Sequence, residues 1–174
     1  MNTASVKGGF VLLLVLLVDQ ISKALVLSHV SSRGVIPVIS HLNIVCVLNR
    51  GISFGLLSSG GTWQLVLIWC VVICLVVYLG YQFWYSSSWV LLVCVGAILG
   101  GAIGNIVDRA IHGAVVDFID VFVTNLNFFG VTVKEWHWPA FNVADSAVVV
   151  GVLGLIFLQL RNETRGSPAR KRKS

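Results

Sequence analysis

The residues with the greatest potential for chemistry are five aspartates in or beside strongly apolar stretches. An ionisable side chain at the centre of a membrane span costs about 2.5–3.5 kcal/mol on insertion scales, so such residues are functional candidates by default. Two carboxylates held close together in a site of low dielectric constant share one proton. One can then activate a water molecule while the other donates to a carbonyl oxygen, as in aspartic proteases. Spacing alone leaves open which two pair among Asp19, Asp108, Asp117, Asp120 and Asp145.

Two pairs of polar residues have spacings that place their side chains on one face of a helix. Asp19 and Lys23 are four residues apart, which allows an intrahelical ion pair, and a role in orienting a site is the competing interpretation. Asn142 and Asp145 open an apolar stretch with the spacing of a helix capping box. An acid at this position also suits the helix dipole. Capping and catalysis are compatible, so this pair remains a candidate for both.

A third polar group follows a run of small residues. Asn105 and Asp108 can share a helix face, and Arg109 comes directly after them. Hydrogen bonding at a helix end accounts for single polar residues but leaves their clustering at one membrane surface unexplained. The preceding glycines repeat every four residues, which is typical of close helix packing and would bring this polar group near another helix. These glycines are Gly96, Gly100 and Gly104.

Other hydrolytic chemistries are disfavoured. Ser22 and Lys23 are adjacent on a helix, so their side chains diverge and do not suit a Ser-Lys dyad. The zinc-protease pattern His-Glu-x-x-His does not occur. We therefore expect no metal and no other cofactor. The cysteines indicate neither a metal set nor a disulfide framework: Cys46, Cys70, Cys74 and Cys94.

The composition requires a membrane around these residues. Of the 174 residues, 57% are hydrophobic and 11% are charged, and the mean hydropathy is +0.92. Soluble domains carry about 25% charged residues, so lipid must replace water over much of the surface. A helical span needs about 20 apolar residues. The sequence predicts a single all-α membrane domain over residues 1–160, a four-helix bundle with spans at about 8–28, 63–81, 89–107 and 141–160.

A basic tail sets the predicted orientation. Residues 161–174 contain six of the twelve Lys and Arg residues. A solvated, disordered tail is the simplest interpretation and nucleic-acid binding the alternative, but the positive-inside rule better explains a basic run after a span. Both termini are then cytoplasmic, and residues 29–62 and 108–140 face the extracytoplasmic side. Within the first of these segments, residues 35–39 and 42–48 favour strands.

Five motifs in order along the chain resemble those of the lipoprotein signal peptidases of bacteria, the type II signal peptidases. Each motif alone is weak, but five in order on a four-span chain are specific. The match runs from the first span to the fourth. The motifs are Asp19-Gln20-Ile21-Ser22-Lys23, Asn49-Arg50-Gly51 through Phe54-Gly55, Gly100-Gly101 with Gly104-Asn105 and Asp108-Arg109, Val115-Val116-Asp117-Phe118, and Phe141-Asn142-Val143-Ala144-Asp145-Ser146.

The resemblance implies an aspartic endopeptidase of the bacterial inner membrane. Such an enzyme removes the signal peptide of diacylglyceryl-modified prolipoproteins by cutting before the lipid-bearing cysteine. The resemblance assigns the catalytic pair to Asp117 and Asp145, near the extracytoplasmic face, and Asp120 is then expected to be an ordinary rim residue. It also implies a small extracytoplasmic β-structure and a short loop helix over the site. The supporting or substrate-binding residues implied are Asp19, Lys23, Asn49, Gly104, Asn105, Asp108, Arg109 and Asn142.

The partners expected are prolipoprotein substrates and membrane lipid, without nucleic acid, and the chain is expected to be a monomer. Two other functions compete with this prediction. Intramembrane acids also serve proton relays, which makes a small ion or proton transporter the first alternative. A relay needs polar groups across the whole bilayer, however, whereas the inner half of every predicted span is apolar. The second alternative is a non-catalytic assembly factor that uses the glycines as its interface.

Overall fold

The computed structural model describes residues 3–50, 74, 77–81, 88–128 and 131–166. Within these residues, three long helices and four strands have defined bounds, and they are labelled here in chain order. The elements are α1 (Thr3–His29), β1 (Ile36–Ile39), β2 (Leu42–Asn49), α2 (Trp89–His112), β3 (Val115–Phe128), β4 (Val131–His137) and α3 (Val143–Gly166).

All three long helices have the length and composition of membrane spans. Their mean hydropathies over the candidate spans Thr3–His29, Trp89–His112 and Val143–Arg161 are 2.3, 2.4 and 2.1. Many large apolar side chains on them face outward, as lipid contact requires; Phe10, for example, is 64% exposed. These helices coincide with three of the four predicted spans. They form the frame of an integral membrane protein.

The second predicted span, 63–81, lies largely outside the described residues, as does the part of the second motif after Arg50. Where that span is described, at residues 74 and 77–81, it is helical. Leu79 is buried there against Val95, Ile98 and Leu99 of α2. At the other end of the chain, α3 continues to Gly166, so the first residues of the predicted basic tail extend the helix.

The predicted glycine packing between helices is confirmed. A Cβ atom added at Gly96 would collide with the backbone carbonyl of Gly8 on α1. One added at Gly100 would lie 2.6 Å from the carbonyl oxygen of Leu12, also on α1. Side chains at these positions would hold the helices apart, so the glycines allow the backbones of α1 and α2 to approach closely.

A four-stranded antiparallel sheet with the order β1-β2-β3-β4 lies at one end of the helices. Its first two strands coincide with the predicted segments 35–39 and 42–48. The third strand is long because its first part pairs with β2 and its second part with β4. The β3–β4 hairpin falls in segment 108–140, where no individual strand was predicted. The short loop helix is not found among the described residues between the long helices.

The sheet is joined to the helices through an apolar cluster and a backbone bridge. Val26 and Val30 of α1 pack against Val116 and Phe118 of β3, all of them buried. Directly before α3, Phe141 and the β3 residue Ile119 exchange two backbone hydrogen bonds of 3.1 and 2.8 Å. This bridge fixes the start of α3 against the strand that carries Asp117.

Candidate active site

At the bottom of the site, an ammonium group is buried between two helices. Lys23 is 2% exposed, and its Nζ lies 2.8 Å from Asp19 Oδ2 on its own helix and 2.7 Å from Asp108 Oδ2 on α2. A third contact, 3.0 Å long, runs to Asn105 Oδ1. An ammonium group has three N–H donors, and each has an acceptor here. The intrahelical pair predicted for Asp19 and Lys23 is confirmed, and it also joins α1 to α2.

The two carboxylates of this cluster extend the connection to other elements. Asp19 Oδ1 accepts a 2.9 Å hydrogen bond from the backbone N–H of Ala144, in the first turn of α3. Asp108 Oδ2 accepts a 3.1 Å bond from the backbone N–H of Val116 on β3. The amide of Gln20 donates to Asp108 Oδ1 at 3.0 Å and to Asp19 Oδ2 at 3.2 Å. The cluster therefore joins three helices and the sheet.

The first turn of α3 is closed by the predicted capping box. The side-chain oxygen of Asn142 accepts from the backbone N–H of Asp145 at 2.9 Å. In return, Asp145 Oδ2 accepts from the backbone N–H of Asn142 at 3.2 Å. This reciprocal arrangement satisfies two amide groups at the helix start and fixes the Asp145 carboxylate at the positive end of the helix dipole. It also explains why the helix begins at Val143, just after its cap.

Asp117 lies beside this box, because β3 passes the start of α3. Its carboxylate accepts a 2.8 Å hydrogen bond from the side-chain amide of Asn142 at Oδ1 and a 2.9 Å bond from Asn49 at Oδ2. Asp117 is 2% exposed. Burial raises the pKa of Asp117 to about 6, with the bond from Asn49 acting in the opposite direction and the nearby Asp145 charge in the same direction.

The side chain of Asn105 connects the two halves of the site. Its amide nitrogen donates to Asp145 Oδ1 at 2.9 Å. Its oxygen accepts from Lys23 at 3.0 Å and from Asn142 at 3.2 Å. A continuous chain of polar contacts therefore leads from the buried ammonium group to both Asp117 and Asp145. The charge of Asp145 also raises the pKa of Asp117, so the two carboxylates interact electrostatically.

An open cleft of about 410 Å³ reaches Asp117 from outside the helices. Its walls combine apolar side chains with a few polar groups, which is typical of sites that bind small molecules or peptide segments. The lining residues are Val47, Leu48, Asn49, Arg50, Asp117, Pro139 and Ala140. Among the described residues, no group of three or more His, Cys, Asp or Glu side chains is placed to hold a metal ion.

The structure also gives contacts for two other residues that were singled out in the sequence. The guanidinium of Arg109 donates to the backbone oxygen of Asn105 at 3.1 Å, a contact that supports the end of α2; its expected supporting role in the site stays a prediction. Asp120 is 7% exposed and contacts His137 and Asn43, so it is more buried than a rim residue, and its expected place outside the catalytic pair stays a prediction. Three residues apart on a strand, Asp117 and Asp120 point to opposite faces, which separates Asp120 from Asp145.

One residue of the site was not predicted individually. Gln20 contacts both carboxylates of the buried cluster and also donates to the backbone oxygen of Gly104 at 3.2 Å. Its amide is a polar group next to Asp19 within an apolar helix, and that position was the available signal. The partners of Gln20 on α2 are more than 80 residues away in the sequence, so local spacing could not identify them.

Gly104 provides the space in which the buried cluster forms, and this gives a testable prediction. A Cβ atom at residue 104 would lie 2.6 Å from Asp19 Oδ2, the atom that contacts Lys23. We expect Gly104→Ala to displace the Asp19 carboxylate and to lower activity by about tenfold or more, since one misplaced polar contact costs about 1–3 kcal/mol. The measurement is the enzymatic rate together with the thermal unfolding temperature.

Gly113→Ala is the matched control for this substitution. A Cβ at Gly113 meets no atom within 4 Å, although the residue has a left-handed φ of 68°. It is therefore expected to lower the unfolding temperature through local strain while leaving the rate per folded molecule nearly unchanged. An unaltered rate in Gly104→Ala would contradict the close approach of Asp19 and α2.

The apolar helices and the polar network between their ends define an integral membrane protein with an enzyme-like site. The model of the signal peptidase II family matches residues 11–161. The chain belongs to the signal peptidase II family, which confirms the resemblance carried by the five motifs.

Individual relatives agree with this assignment. A lipoprotein signal peptidase of Polynucleobacter necessarius is 39% identical over 150 residues, covering 86% of each chain. A lipoprotein signal peptidase of Thermodesulfovibrio yellowstonii is 37% identical over 158 residues, which cover 89% of this chain and 95% of that protein. Two solved structures described as bacterial membrane enzymes match with TM-scores of 0.72 and 0.70 at 27% and 29% identity. The matches cover 95% and 88% of this chain, and 94% and 92% of those chains.

Proposed function

We propose that the protein is an aspartic endopeptidase that removes signal peptides from diacylglyceryl-modified prolipoproteins, cutting before the lipid-bearing cysteine. Asp117 and Asp145 are its catalytic pair. The observation that carries the proposal is the position of both carboxylates around Asn142, which donates to Asp117 and forms the capping box with Asp145. Membership of the signal peptidase II family supports the reaction, and the names of the relatives support the substrate class.

The two carboxylates divide the work of amide hydrolysis. Asp117, buried and with its pKa raised to about 6, holds the shared proton at rest. Asp145 is partly exposed at the start of α3, where the helix dipole favours a negative charge. Asp145 takes a proton from water as the water attacks the scissile carbonyl carbon, and Asp117 donates its proton to the carbonyl oxygen. Collapse of the tetrahedral intermediate then breaks the C–N bond, and the leaving amine takes up a proton from the pair.

The neighbouring polar residues keep this geometry fixed. Asn142 and Asn105 orient the two carboxylates through hydrogen bonds, and the Lys23 cluster fixes the helix ends from which these residues project. Such rigid support is needed because small displacements of catalytic groups reduce rates strongly. The polar network lies at one end of the described helices, which favours surface hydrolysis over a proton relay across the bilayer.

We infer a fourth span from the directions of the described helices. Gly96 meets Gly8, Gly100 meets Leu12, and the site residues of α1 and α2 also meet further along, so these helices run parallel. The chain between them forms β1 and β2 at the site end and then begins α2 at the opposite end. It must therefore return across the bilayer, as the predicted span 63–81 would do. The protein is then a four-helix bundle with both termini at the end away from the site.

The basic tail assigns a side to each end. The positive-inside rule puts residues 161–174 in the cytoplasm, and the site is then near the extracytoplasmic face of the bacterial inner membrane. The lipid chains of a substrate can remain among the exposed apolar side chains of the helices while its peptide enters the cleft at Asp117. The site residues that the structure describes all come from one chain, so the proposal requires no second copy, and it requires no metal, cofactor or nucleic acid.

The direct test is cleavage of a synthetic lipopeptide by the purified full-length protein in detergent or proteoliposomes. The peptide carries a signal sequence and a diacylglyceryl cysteine, and mass spectrometry identifies the cut. The expected cut is at the peptide bond directly before that cysteine. The released signal peptide then ends at the residue before the cysteine, and the other product begins with the lipid-bearing cysteine. A matched peptide with an unmodified cysteine should be cleaved far more slowly. Equal cleavage of both peptides, or a cut elsewhere, would contradict the proposed specificity.

The raised pKa of Asp117 predicts the pH dependence of the reaction. The active pair carries one proton, and kcat/KM reports the ionisation of the free enzyme. We therefore expect kcat/KM to fall on the alkaline side with a midpoint at about pH 6, the pKa of Asp117, as the shared proton is lost. It should also fall at low pH, where the pair acquires a second proton. The measurement is the initial rate at low substrate concentration across this pH range.

Asn49→Ala tests whether the fall in kcat/KM on the alkaline side is caused by the ionisation of Asp117. The Asn49 amide stabilises the ionised form of Asp117, so its removal should raise the pKa of Asp117 further. The alkaline midpoint then moves to higher pH, whatever the effect on the maximal rate. A midpoint that stays in place, or moves to lower pH, would mean that another group causes this fall.

A further inference from the structure

A second polar pair lies on the sheet, outside the network of the catalytic residues. His137 Nδ1 and Asp120 Oδ1 are 2.7 Å apart, and Asn43 of β2 donates to Asp120 Oδ2 at 2.9 Å. The imidazole of His137 stacks on Phe122 with ring centroids 5.2 Å apart and an interplanar angle of 20°. His137 is thus fixed in position by a hydrogen bond at one atom and by a ring face, while Asp120 has two partners.

This pair lies at the start of the segment that forms one wall of the cleft. His137 is the last residue of β4, and Trp138 then donates from its backbone N–H to Val121 at 2.8 Å. The next two residues, 139 and 140, line the cleft together with Asp117. Phe141 is bridged to Ile119. The wall is therefore a short stretch of chain anchored at one end by the His137 contact and at the other by Phe141 and the capping box.

We propose that His137 is a positioning residue that, through its contact with Asp120, holds segment 138–141 in place as the substrate-binding wall of the cleft. This inference rests on the proposed function, because it concerns how that cleft binds the peptide. His137 does not touch the catalytic carboxylates. Its loss should therefore weaken substrate binding more than it slows the chemical step.

The groups that face His137 shift the pH at which its imidazole changes charge. The bond to Asp120 raises the pKa of His137, and the charges of Asp120 and Glu135 act in the same direction. Glu135 is the weaker partner, with Oε1 3.6 Å from Nε2. Burial alone would raise the pKa of Asp120, but the bonds from His137 and Asn43 outweigh it and lower the value. Among the described residues, His41 is a further titratable group near this pair, in edge-to-face contact with Phe122 at a centroid distance of 5.8 Å.

The two pKa shifts determine how the contact between His137 and Asp120 responds to pH. The pair carries opposite charges above the lowered pKa of Asp120 and below the raised pKa of His137. As the pH rises through the pKa of His137, the imidazole becomes neutral and the contact weakens. The wall is then held less firmly, so the KM of the wild-type enzyme should increase on the alkaline side for a reason separate from the ionisation of Asp117.

The test compares kinetic constants of the full-length protein and three variants on the lipopeptide between pH 5 and pH 8, roughly the range in which histidine titrates. In His137→Ala we expect KM to rise by about fivefold with kcat nearly unchanged, the effect of losing one hydrogen bond of typical strength at a partly exposed side chain. His137→Asn retains a donor close to the Nδ1 position without titrating. The KM of His137→Asn should therefore be lower than that of His137→Ala, and it should not rise on the alkaline side. Glu135→Gln is the matched control: it should keep the wild-type KM at pH 5 and the alkaline rise in KM, with the midpoint of that rise moved to lower pH because a charge that raises the pKa of His137 is lost.

The outcomes separate this inference from the proposed function. If the wild type cleaves the lipopeptide but His137→Ala has an unchanged KM, the positioning role is refuted and the proposed function stands. The same conclusion follows if His137→Asn keeps the wild-type pH dependence of KM. Should His137→Ala fail to fold, as judged by its unfolding temperature, the pH profile of His137→Asn decides alone. Absence of cleavage by the wild type would instead refute the proposed function.

Discussion

Replacement of either Asp117 or Asp145 by asparagine is expected to abolish cleavage of the lipopeptide, with a loss of roughly 10³–10⁴-fold, the upper range of general acid–base catalysis. Asparagine has nearly the same size but keeps one oxygen, so it can accept the hydrogen bond at one of the two carboxylate positions while its amide nitrogen faces the other donor. It can neither take a proton from water nor hold the shared proton. The loss should therefore appear in kcat, while binding of the lipopeptide is largely retained.

The control for these two variants is Asp120→Asn. Asp120 lies on the same strand as Asp117, three residues further along, and contacts His137 and Asn43 instead of the catalytic pair. It should lose less than about tenfold in kcat/KM, the effect of weakening one charge-assisted hydrogen bond. Unfolding temperatures of all three variants establish that each is folded. Normal cleavage by Asp117→Asn or Asp145→Asn would overturn the assignment of the catalytic pair. A loss of activity in Asp120→Asn larger than in those two variants would indicate that Asp120 belongs to the pair instead.

The two dyad positions also differ in a way that single substitutions can detect. Asp117 receives its donors from Asn49 and Asn142 side chains, whereas Asp145 is also held by the backbone of Asn142 in the capping box. Asp145→Asn therefore disturbs the helix start as well as the chemistry. We expect its unfolding temperature to be lower than that of Asp117→Asn, since a cap contributes about 0.5–2 kcal/mol.

Local features of the site could be predicted from the sequence because they depend on helix periodicity. The Asp19–Lys23 pair follows from a four-residue spacing, and the Asn142–Asp145 box follows from the preference of helix starts for such side chains. Both are present with direct contacts of 2.8–3.2 Å. The glycine repeat likewise predicted close helix packing, although it did not identify the partner backbone as that of α1.

Contacts between distant parts of the chain could not be predicted in this way. Lys23 meets Asp108, and Asn49 meets Asp117, only because helix packing and the register of β2 on β3 bring them together. No local pattern encodes such a register. The contacts of Asp120 with His137 and Asn43 could not be predicted for a related reason, since the strand character of β3 was not recognised. On a strand, the alternation of faces would have separated it from Asp117.

The polar residues of the site also show why apolar helices tolerate so many charges. Asp19 and Asp108 share Lys23 as a charged partner, and each also accepts from a backbone N–H, that of Ala144 or of Val116. Buried charges are tolerated when they are paired and hydrogen-bonded. Because those partners come from different elements, the same contacts that stabilise the charges also fix the relative positions of the helices.

Replacement of Lys23 by methionine is the second substitution with a large expected effect. Methionine has a similar length and fills the same space, but it leaves the carboxylates of Asp19 and Asp108 without their shared cation. Removing one member of a buried ionic cluster destabilises by about 3–5 kcal/mol. We expect a marked fall in the unfolding temperature in detergent. Activity should fall as well, because Asn105 loses the donor that orients it toward Asp145.

Two further variants test whether the geometry of the Lys23 donors and the direct contact of Lys23 with Asp108 matter in addition to the positive charge. Lys23→Arg keeps the charge, but a planar guanidinium cannot direct three donors from one point to the acceptors that surround Nζ, so it should also be impaired. The double variant Lys23→Met with Asp108→Asn removes the cation and one of the two anions together. Its destabilisation should be smaller than the sum of the two single effects, because the pair is in direct contact at 2.7 Å. Additive losses, or an unchanged unfolding temperature in Lys23→Met, would mean that the buried ammonium does not hold α1 and α2 together. The fixed position of Asn105 beside Asp145 would then need another cause.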